Sequence, residues 1–473
     1  MQLSELIKVI AGEKYQMTEA EVDAVEFDSR RVRPGTLFIA MKGERFDGHD
    51  FVEAAIENGA VALVTERKVA ANIPQVVVTD TRASLGKLAH QFYGGFADLT
   101  KVAITGTNGK TTTSFLIRSI LETSGKRTGL IGTIYYIGKT RTKAVRTTPE
   151  SLDIFRMINE FKTDGTEAIV MEVSSHGLAL KRVDEMRFHV VVFTNLSQDH
   201  LDFHQTIDRY RAAKMRIFSL LNPDGCAVFN MDDATSHHIK QLGLKRTMTY
   251  GMENKSDVGA EITSDTADGL NLDISYQNHK YRVTSKLIGT YNAYNILAAF
   301  TAAVALGITR DAIVQGIAKI TNIKGRMERV TDNIFIDYAH TPLAIENALS
   351  SLKRYAQGKL LVVFGCGGDR DKDKRPKMAA AATSLADFTI ITTDNPRREP
   401  PGRIIENIVK GVTTEQYEVI EDRRTAIKQA ITKKQAEDIL LIAGKGHEDY
   451  QIIGNRVLKF DDAEVIRECT ESL

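Results

Sequence analysis

Lys110 and Thr111 follow a turn punctuated by Gly106 and Gly109, and an apolar, β-branched run from Lys101 feeds into that turn. Glycines let backbone N–H groups converge on an anion, and the start of a helix adds a favourable partial charge. In such a loop Lys110 reaches the β- and γ-phosphates of a nucleotide, and Thr111 offers a hydroxyl to Mg²⁺. The spacing departs from the full G-x-x-x-x-G-K-[ST] form, because Ile104 stands where the first glycine belongs. A bare G-x-x-G-K-T-T is also compatible with an ordinary strand–turn–helix connection.

Other residues have types suited to the same chemistry. Glu172 closes an apolar run and precedes Val-Ser-Ser-His, where a carboxylate can hold Mg²⁺ directly or through water. Asp199, His200, Asp202 and His204 crowd a metal-capable or proton-capable set into one short stretch, although Mg²⁺ prefers oxygen and makes His200 an unusual member. Ser174, Ser175 and His176 are equally suited to capping the next helix. Lys214, within the predicted helix Ile207 to Leu220, has the composition of a solvated surface lysine and is not separable from Arg211 or Arg216. Arg326 lies where an arginine can reach phosphates across a cleft, and Asp337 is suited to ligand contact or to capping a helix with Pro342 in its first turn. The run Asp369 to Pro376 is a solvated charge run or, following a glycine loop, a ligand contact. Arg370, Arg397 and Glu448 follow strand ends, and two arginines with one acid can grip a zwitterion by its carboxylate and ammonium. Asp28-Ser29-Arg30 and Phe46-Asp47-Gly48-His49 read as caps and turns.

Strands and helices must hold these groups. Short apolar runs at Ala24–Phe27, Thr36–Ala40, Ala60–Val64 and Gln75–Val78, with helical character at Phe51–Asn58, predict a small α/β domain over residues 1–98. Residues 99–325 predict a mostly parallel sheet: strands at Thr128–Ile134, Ala168–Val173, Val190–Thr194 and Ala227–Phe229 each end in polar residues, with helices between. Helical spacing at Ser114–Glu122 and an alanine-rich helix at Asn292–Leu306 belong to this part, and Thr266–Lys286 alternates like an antiparallel hairpin. Residues 326–473 predict a second open, Rossmann-like α/β sheet with strands at Ile334–Asp337, Leu360–Phe364, Phe388–Thr392 and Ile439–Ala443, its loops on one edge.

Composition narrows the class. The chain has 473 residues, 42% hydrophobic and 26% charged, with formal net charge +1, which argues against a nucleic-acid partner. Cys226, Cys366 and Cys469 are scattered, without metal or disulfide spacing. No apolar run approaches ~18 residues and Met1–Glu13 lacks a signal-peptide pattern, so no membrane insertion and a cytoplasmic location are expected.

Read together, Thr105-Gly106-Thr107-Asn108-Gly109-Lys110-Thr111-Thr112, Asn195 to Asp202, Tyr291-Asn292-Ala293-Tyr294-Asn295, Gly325-Arg326-Met327-Glu328 and Asp337-Tyr338-Ala339-His340 resemble the Mur ligases, ATP-dependent amide-forming enzymes of peptidoglycan assembly. The resemblance covers the whole chain, and the family's shortened phosphate loop accounts for Ile104. It implies three domains, for a UDP-sugar (1–98), ATP (99–325) and an amino acid (326–473), and ATP with Mg²⁺. Asp28-Ser29-Arg30, Thr147-Thr148-Pro149 and Ser174 to Leu178 resemble members that extend UDP-N-acetylmuramoyl-L-Ala-D-Glu. Asp394-Asn395-Pro396-Arg397 resembles the form that adds meso-2,6-diaminopimelate, whereas lysine-adding relatives differ at the arginine. Pro400 departs from the acidic residue common there, which bears on the shape of that loop.

Carried over residue by residue, the resemblance implies ATP positions at Gly106, Thr107, Asn108, Gly109, Lys110, Thr111, Thr112, Asn292, Asn295, Arg326 and Asp337. It implies magnesium positions at Thr111, Glu172 and His200, and at Lys214 as a carbamate, which overrides the surface reading of that lysine. Ser29, Thr147, Thr148, Ser174 and Arg182 match the sugar-peptide site; Arg370, Asp394, Asn395, Pro396, Arg397, Gly444 and Glu448 match the diaminopimelate site. A monomer acting on small molecules is expected. The rival readings are a lysine-adding ligase, a P-loop kinase or motor ATPase, and a non-catalytic nucleotide-binding partner.

Overall fold

The computed structural model describes residues 1–43 and 46–471. The chain divides into two compact units, one of Met1–Thr105, Lys126–Val191 and Ala212–Ala227, the other of Gly106–Gly125, Val192–Arg211 and Val228–Leu473.

In the first unit, a five-stranded sheet has the order Glu13–Tyr15, Gln75–Val77, Ala60–Thr65, Thr36–Ile39, Ala24–Glu26. All neighbours are parallel except the outer Glu13–Tyr15 pair. Val32, Phe38, Ala40, Val52, Ala55, Ala60 and Leu63 form one core against it. The four apolar runs end within a residue or so of their expected limits, and the helical stretch expected at Phe51–Asn58 is the helix Val52–Glu57, entered through the 3-10 turn Gly48–Phe51. A second set of strands places Thr100–Thr105, Ala168–Glu172 and Thr128–Ile131 side by side and parallel. Burial on both faces explains their unbroken apolar sequences. The register sets Glu172 opposite Ile104, at the carboxyl end of both strands.

The expected helix Ile207 to Leu220 is shorter: Ile207–Met215 is α-helical and Arg216–Leu220 tightens to 3-10. That tighter turn buries Ile217, Phe218 and Leu220 just before the strand Leu221–Asn230, which is longer than the predicted Ala227–Phe229.

In the second unit, the helix Lys110–Thr123 packs against the helices Thr290–Ala305 and Arg310–Ala318. The predicted hairpin is present and larger: Val258–Thr266, Gly269–Tyr276 and His279–Ser285 pair antiparallel. A six-stranded sheet follows in the order Glu328–Thr331, Ile334–Asp337, Ile439–Ala443, Leu360–Phe364, Phe388–Ile391, Tyr417–Val419. Its core strands are parallel. Strand side chains alternate between faces. Leu360, Val362 and Phe364 enter one core with helices Pro342–Lys353, Lys374–Leu385 and Pro401–Val409. Leu361 and Val363 enter the other, with Arg423–Lys433 and Asp462–Glu471. Parallel pairing brings the loops after Asp337, Phe364, Ile391 and Ala443 to one edge, where ligands bind in open α/β sheets.

Candidate active site

The phosphate loop is held by packing that only glycine permits. Gly106 and Gly109 have φ of 144° and 85°, and a Cβ would collide with Thr194 Oγ1 at the first and Asn295 Oδ1 at the second. The Asn195 carbonyl accepts from Thr107 N (2.8 Å), and its side-chain oxygen accepts from Asn108 N (3.0 Å). Thr194 Oγ1 donates to the Asn108 carbonyl (2.6 Å), and the Thr107 and Tyr210 hydroxyls lie 3.1 Å apart. Lys110 opens the helix and folds back, Nζ donating to the Gly106 and Thr107 carbonyls, both at 2.8 Å. An ammonium held against two carbonyls at a helix N-terminus is poised for a polyphosphate.

Thr111 and Thr112 are buried beneath the loop. Arg326 Nη2 donates to Thr111 Oγ1 (3.1 Å), and its guanidinium lies 4.7 Å from the Tyr338 ring centroid. Asn292 and Asn295 are buried one turn apart, joined by a 2.9 Å bond. Asp337 accepts from Met327 N (2.7 Å). Burial pushes its carboxyl up to about 6, against the pull of Arg326 and backbone N–H groups. Asp337 is therefore not the helix cap that its sequence allowed: Thr341 Oγ1 caps Pro342–Lys353 by accepting from Ala344 N.

His200 has left-handed backbone (φ 53°) and approaches Asp199 at 3.4 Å. Burial acts against charge on Asp199, but His200, His340 and Lys374 hold its carboxyl below the usual range. In the first unit, Glu172 is fully buried and accepts from Thr133 N (2.9 Å) and Thr133 Oγ1 (2.8 Å). Lys214 is 1% exposed, which overturns the surface reading of its composition. Among the described residues, no three His, Cys, Asp or Glu side chains are grouped to hold a metal by themselves.

Thr147, Thr148, Ser174 and Arg182 also converge in the first unit. Thr148 Oγ1 contacts the Glu172 carbonyl and Ser174 Oγ, both at 3.1 Å, and accepts from Ser174 N. Ser174 caps its helix by accepting from Gly177 N, so the capping expectation holds as well. Arg182 donates to the Thr148 carbonyl (3.0 Å) and pairs with Glu150 (2.8 Å). Glu150 also binds Arg82 (2.6 Å) and Arg146 (3.0 Å), a hub that no sequence spacing announced. Ser29 lies on the Asp28-capped turn Ser29–Arg31, outside this hydrogen-bond network.

Three loops meet at the edge of the six-stranded sheet. Arg397, in left-handed conformation (φ 53°), donates Nη1 to the Gly368 carbonyl (2.8 Å). Gly368 N donates to the Asn395 carbonyl (2.9 Å). Asn395 Nδ2 donates to Glu448 Oε2 (2.7 Å), and Asp394 lies within 2.7 Å of where a Gly444 Cβ would stand. The Pro396 carbonyl leaves no room for a side chain at Gly368. Arg370 is exposed, its guanidinium on the Asp369 carbonyl. The charge run splits: Asp369, Lys372 and Asp373 face solvent, but Arg375 is fully buried, paired with Glu399 through both Nη atoms (3.0 and 2.9 Å). Glu399 also accepts from Asp369 N, so it ties the glycine loop to the Arg397 loop just before Pro400. The hairpin Tyr450–Ile453 and Arg456–Lys459, whose signal in the sequence is the two-residue Gly454-Asn455 turn, pins Arg397 N to the Ile452 carbonyl (3.0 Å).

A glycine cradle at a helix start, together with a sheet edge that gathers arginines and an acid, has the features of a nucleotide-dependent α/β enzyme. The comparisons give the family. Profiles described as Mur ligase middle domain, Mur ligase glutamate ligase domain and Mur ligase family catalytic domain match residues 104–303, 325–446 and 21–93. The chain belongs to the Mur ligase family, whose members are ATP-dependent, amide-forming ligases. A protein of Caldanaerobacter subterraneus named UDP-N-acetylmuramoyl-L-alanyl-D-glutamate–2,6-diaminopimelate ligase is 42% identical, covering 99% of this chain and 98% of that one. One of the same name from Geobacillus thermodenitrificans is 44% identical over 94% of each. A solved structure titled as that ligase matches with TM-score 0.68 and 33% identity over 95% of both chains. An ADP complex of a Thermotoga maritima ligase shares the fold, with TM-score 0.69 and 21% identity over 95% of this chain and 97% of that one.

Proposed function

We propose that this enzyme adds meso-2,6-diaminopimelate to the γ-carboxylate of D-Glu in UDP-N-acetylmuramoyl-L-Ala-D-Glu, with ATP as the energy source. The observation that carries this reading is the pairing of Arg397 and Glu448 through Asn395 and Gly368 at one sheet edge. The names of the relatives support it. An arginine and a carboxylate so placed suit the distal carboxylate and ammonium of diaminopimelate. Lysine has no distal carboxylate and would leave the guanidinium unanswered, a mismatch that can discriminate by ~10⁴-fold.

In this reading residues 1–98 bind the UDP-sugar with Ser29, residues 99–325 bind ATP, and residues 326–473 bind the amino acid. Thr147, Thr148, Ser174 and Arg182 hold the sugar-peptide, while Asn292, Asn295, Arg326 and Asp337 surround the nucleotide. Arg370, Asp394, Pro396 and Gly444 complete the amino-acid site. The protein acts as a cytoplasmic monomer; no helix among the described residues is long and apolar enough to cross a membrane.

A γ-carboxylate oxygen of D-Glu attacks the γ-phosphorus, the bond to the β,γ-bridging oxygen breaks, and ADP leaves. The free amine of diaminopimelate then attacks the acyl carbon. The tetrahedral intermediate expels phosphate, and the nitrogen loses its proton as the amide forms. Lys110 turns from the Gly106 and Thr107 carbonyls to the phosphates and offsets charge that grows during transfer. The donors available suit Mg²⁺, a hard cation: the buried Glu172 carboxylate and the Thr111 hydroxyl supply oxygen. Glu172, Thr111 and His200 would hold it, with Lys214 once its amine has condensed with CO₂ to an anionic carbamate. Bound there, Mg²⁺ supplies charge neutralisation between phosphate and carboxylate.

The test is phosphate release with ATP, the UDP-dipeptide and a panel of amino acids. Diaminopimelate should support turnover and lysine should not. Equal use of both, or release that is independent of the dipeptide, would overturn the assignment.

A further inference from the structure

Lys445 lies inside the Gly-Lys-Gly-His-Glu turn and is assigned no part above. Its side chain is fully buried, and its ammonium stands 3.3 Å from Asn395 Oδ1 and 3.2 Å from Glu448 Oε2. An ammonium removed from water is costly unless its hydrogen bonds are answered and its charge is met. Here one carboxylate meets the charge, and that carboxylate belongs to the residue proposed to bind the amino-acid substrate. Asn395 is committed in the same way. Its Oδ1 also accepts from Ile452 N (2.9 Å), and its Nδ2 donates to Glu448 Oε2 (2.7 Å). Glu448 Oε2 is thereby taken by two protein donors, whereas Oε1 has the Tyr450 hydroxyl at 3.4 Å.

Resting on the function proposed above, we infer that Lys445 is a positioning residue for amino-acid selection, locking Glu448 by Oε2 so that Oε1 presents a fixed anion to the distal ammonium of the substrate. Asn395 then acts as the bridge that orients Glu448, with its side-chain oxygen committed inside the protein. The surroundings explain why a buried cation is needed. Burial and the Asp394 carboxylate both raise the Glu448 carboxyl, and Lys445 with the Asn395 amide lowers it. Tyr338, Tyr450 and the Arg423 guanidinium also feel the same carboxylate. Arg423 is held by Asp462 through Nε and Nη2, whereas Lys445 touches the Glu448 carboxylate directly.

The experiment compares Lys445→Met, Lys445→Arg, Glu448→Gln and the double variant Lys445→Met/Glu448→Gln with the intact protein, in steady-state phosphate release. A hydrogen bond to a charged group, once lost, corresponds to a KM rise of about tenfold or more for diaminopimelate in Lys445→Met. The KM for ATP should move by less than about twofold, because the Lys445 ammonium bonds Asn395 and Glu448 and no nucleotide group. The acid limb of the diaminopimelate KM profile should move to higher pH, since Glu448 loses its counter-charge, and Lys445→Arg should restore part of both effects. In the double variant the KM should match that of Glu448→Gln alone. If Lys445→Met fails to fold, this last comparison still decides, because no unpaired charge remains in the double variant. Unchanged diaminopimelate KM and pH limb in a folded Lys445→Met, an equal loss for ATP, or additive effects in the double variant would overturn the inference. Absence of diaminopimelate-dependent turnover in the intact protein would instead overturn the function itself.

Discussion

Replacing Arg397 with alanine is the sharpest perturbation of the proposed amino-acid site. The backbone at this position is set independently of the side chain: its N–H donates to the Ile452 carbonyl and its carbonyl accepts from Gly454 N. Truncation therefore removes the guanidinium without releasing the loop. In the free protein the side chain gives up its bonds to the Gly368 carbonyl at 2.8 Å and, at the long limit of 3.5 Å, to the Asn395 carbonyl, and it is only half-buried, so little stability is at stake. In the proposed complex it would also give up a bidentate grip on the substrate carboxylate. A hydrogen bond to a charged group contributes about 1.5–3 kcal/mol, and the upper part of that range, about 2–3 kcal/mol, suits a forked pair. That corresponds to a fall of about 30- to 150-fold in kcat/KM for diaminopimelate. Arg397→Lys keeps the charge but not the fork, and should recover only part of the loss. The assay is phosphate release with diaminopimelate varied at saturating ATP and UDP-dipeptide, then with ATP varied. A fall confined to diaminopimelate fits the placement. Unchanged diaminopimelate kinetics, or an equal loss for ATP, would refute the reasoning.

Lys110→Met should lower kcat by about 10³-fold, as loss of a preorganised charge at the transferring group does, while the melting temperature changes little. Turnover within tenfold of the parent would remove Lys110 from the phosphate site. Arg423 and Asp462 are both fully buried and bonded at 2.8 and 2.7 Å. Arg423→Met should cost about 3–5 kcal/mol in denaturant unfolding, and Arg423→Met/Asp462→Leu should recover much of it, because the orphaned carboxylate causes the loss. Burial lowers the Lys101 ammonium to about 8 from 10.5, only partly opposed by Asp98. The folded state then loses that proton before the unfolded state does, so stability rises with pH between about 8 and 10.5. Lys101→Met should lack that rise and be the more stable form near neutral pH; parallel stability–pH curves for the two would contradict this.

Much of the nucleotide side was legible because its parts are adjacent in sequence. Gly106, Gly109, Lys110 and Thr111 fall within one turn, and the backbone geometry that makes a phosphate cradle is local. The strands Ile334–Asp337, Leu360–Phe364 and Ile439–Ala443 were equally plain, since burial on both faces leaves an unbroken apolar run. The hairpin at Tyr450–Lys459 was less plain: the Gly454-Asn455 turn signals it, but Val457 and Leu458 are exposed and its strands carry no clean alternation. Lys214 shows the limit most clearly. A lysine among arginines on a polar helix carries no mark of burial, and only the packing of that helix made it 1% exposed.

By itself, the sequence determined the element types, the phosphate loop and the motifs that identify the family. These are set by neighbouring residues, through periodicity, glycine conformations and local spacing. The tertiary structure alone decided which charges answer which. Arg375 meets Glu399, Glu150 gathers Arg82, Arg146 and Arg182, and Lys445 meets Glu448. Such pairings depend on which strand ends share an edge and which side chains are cut off from water. Both are properties of the whole packed chain, and the proposed amino-acid site is made from them.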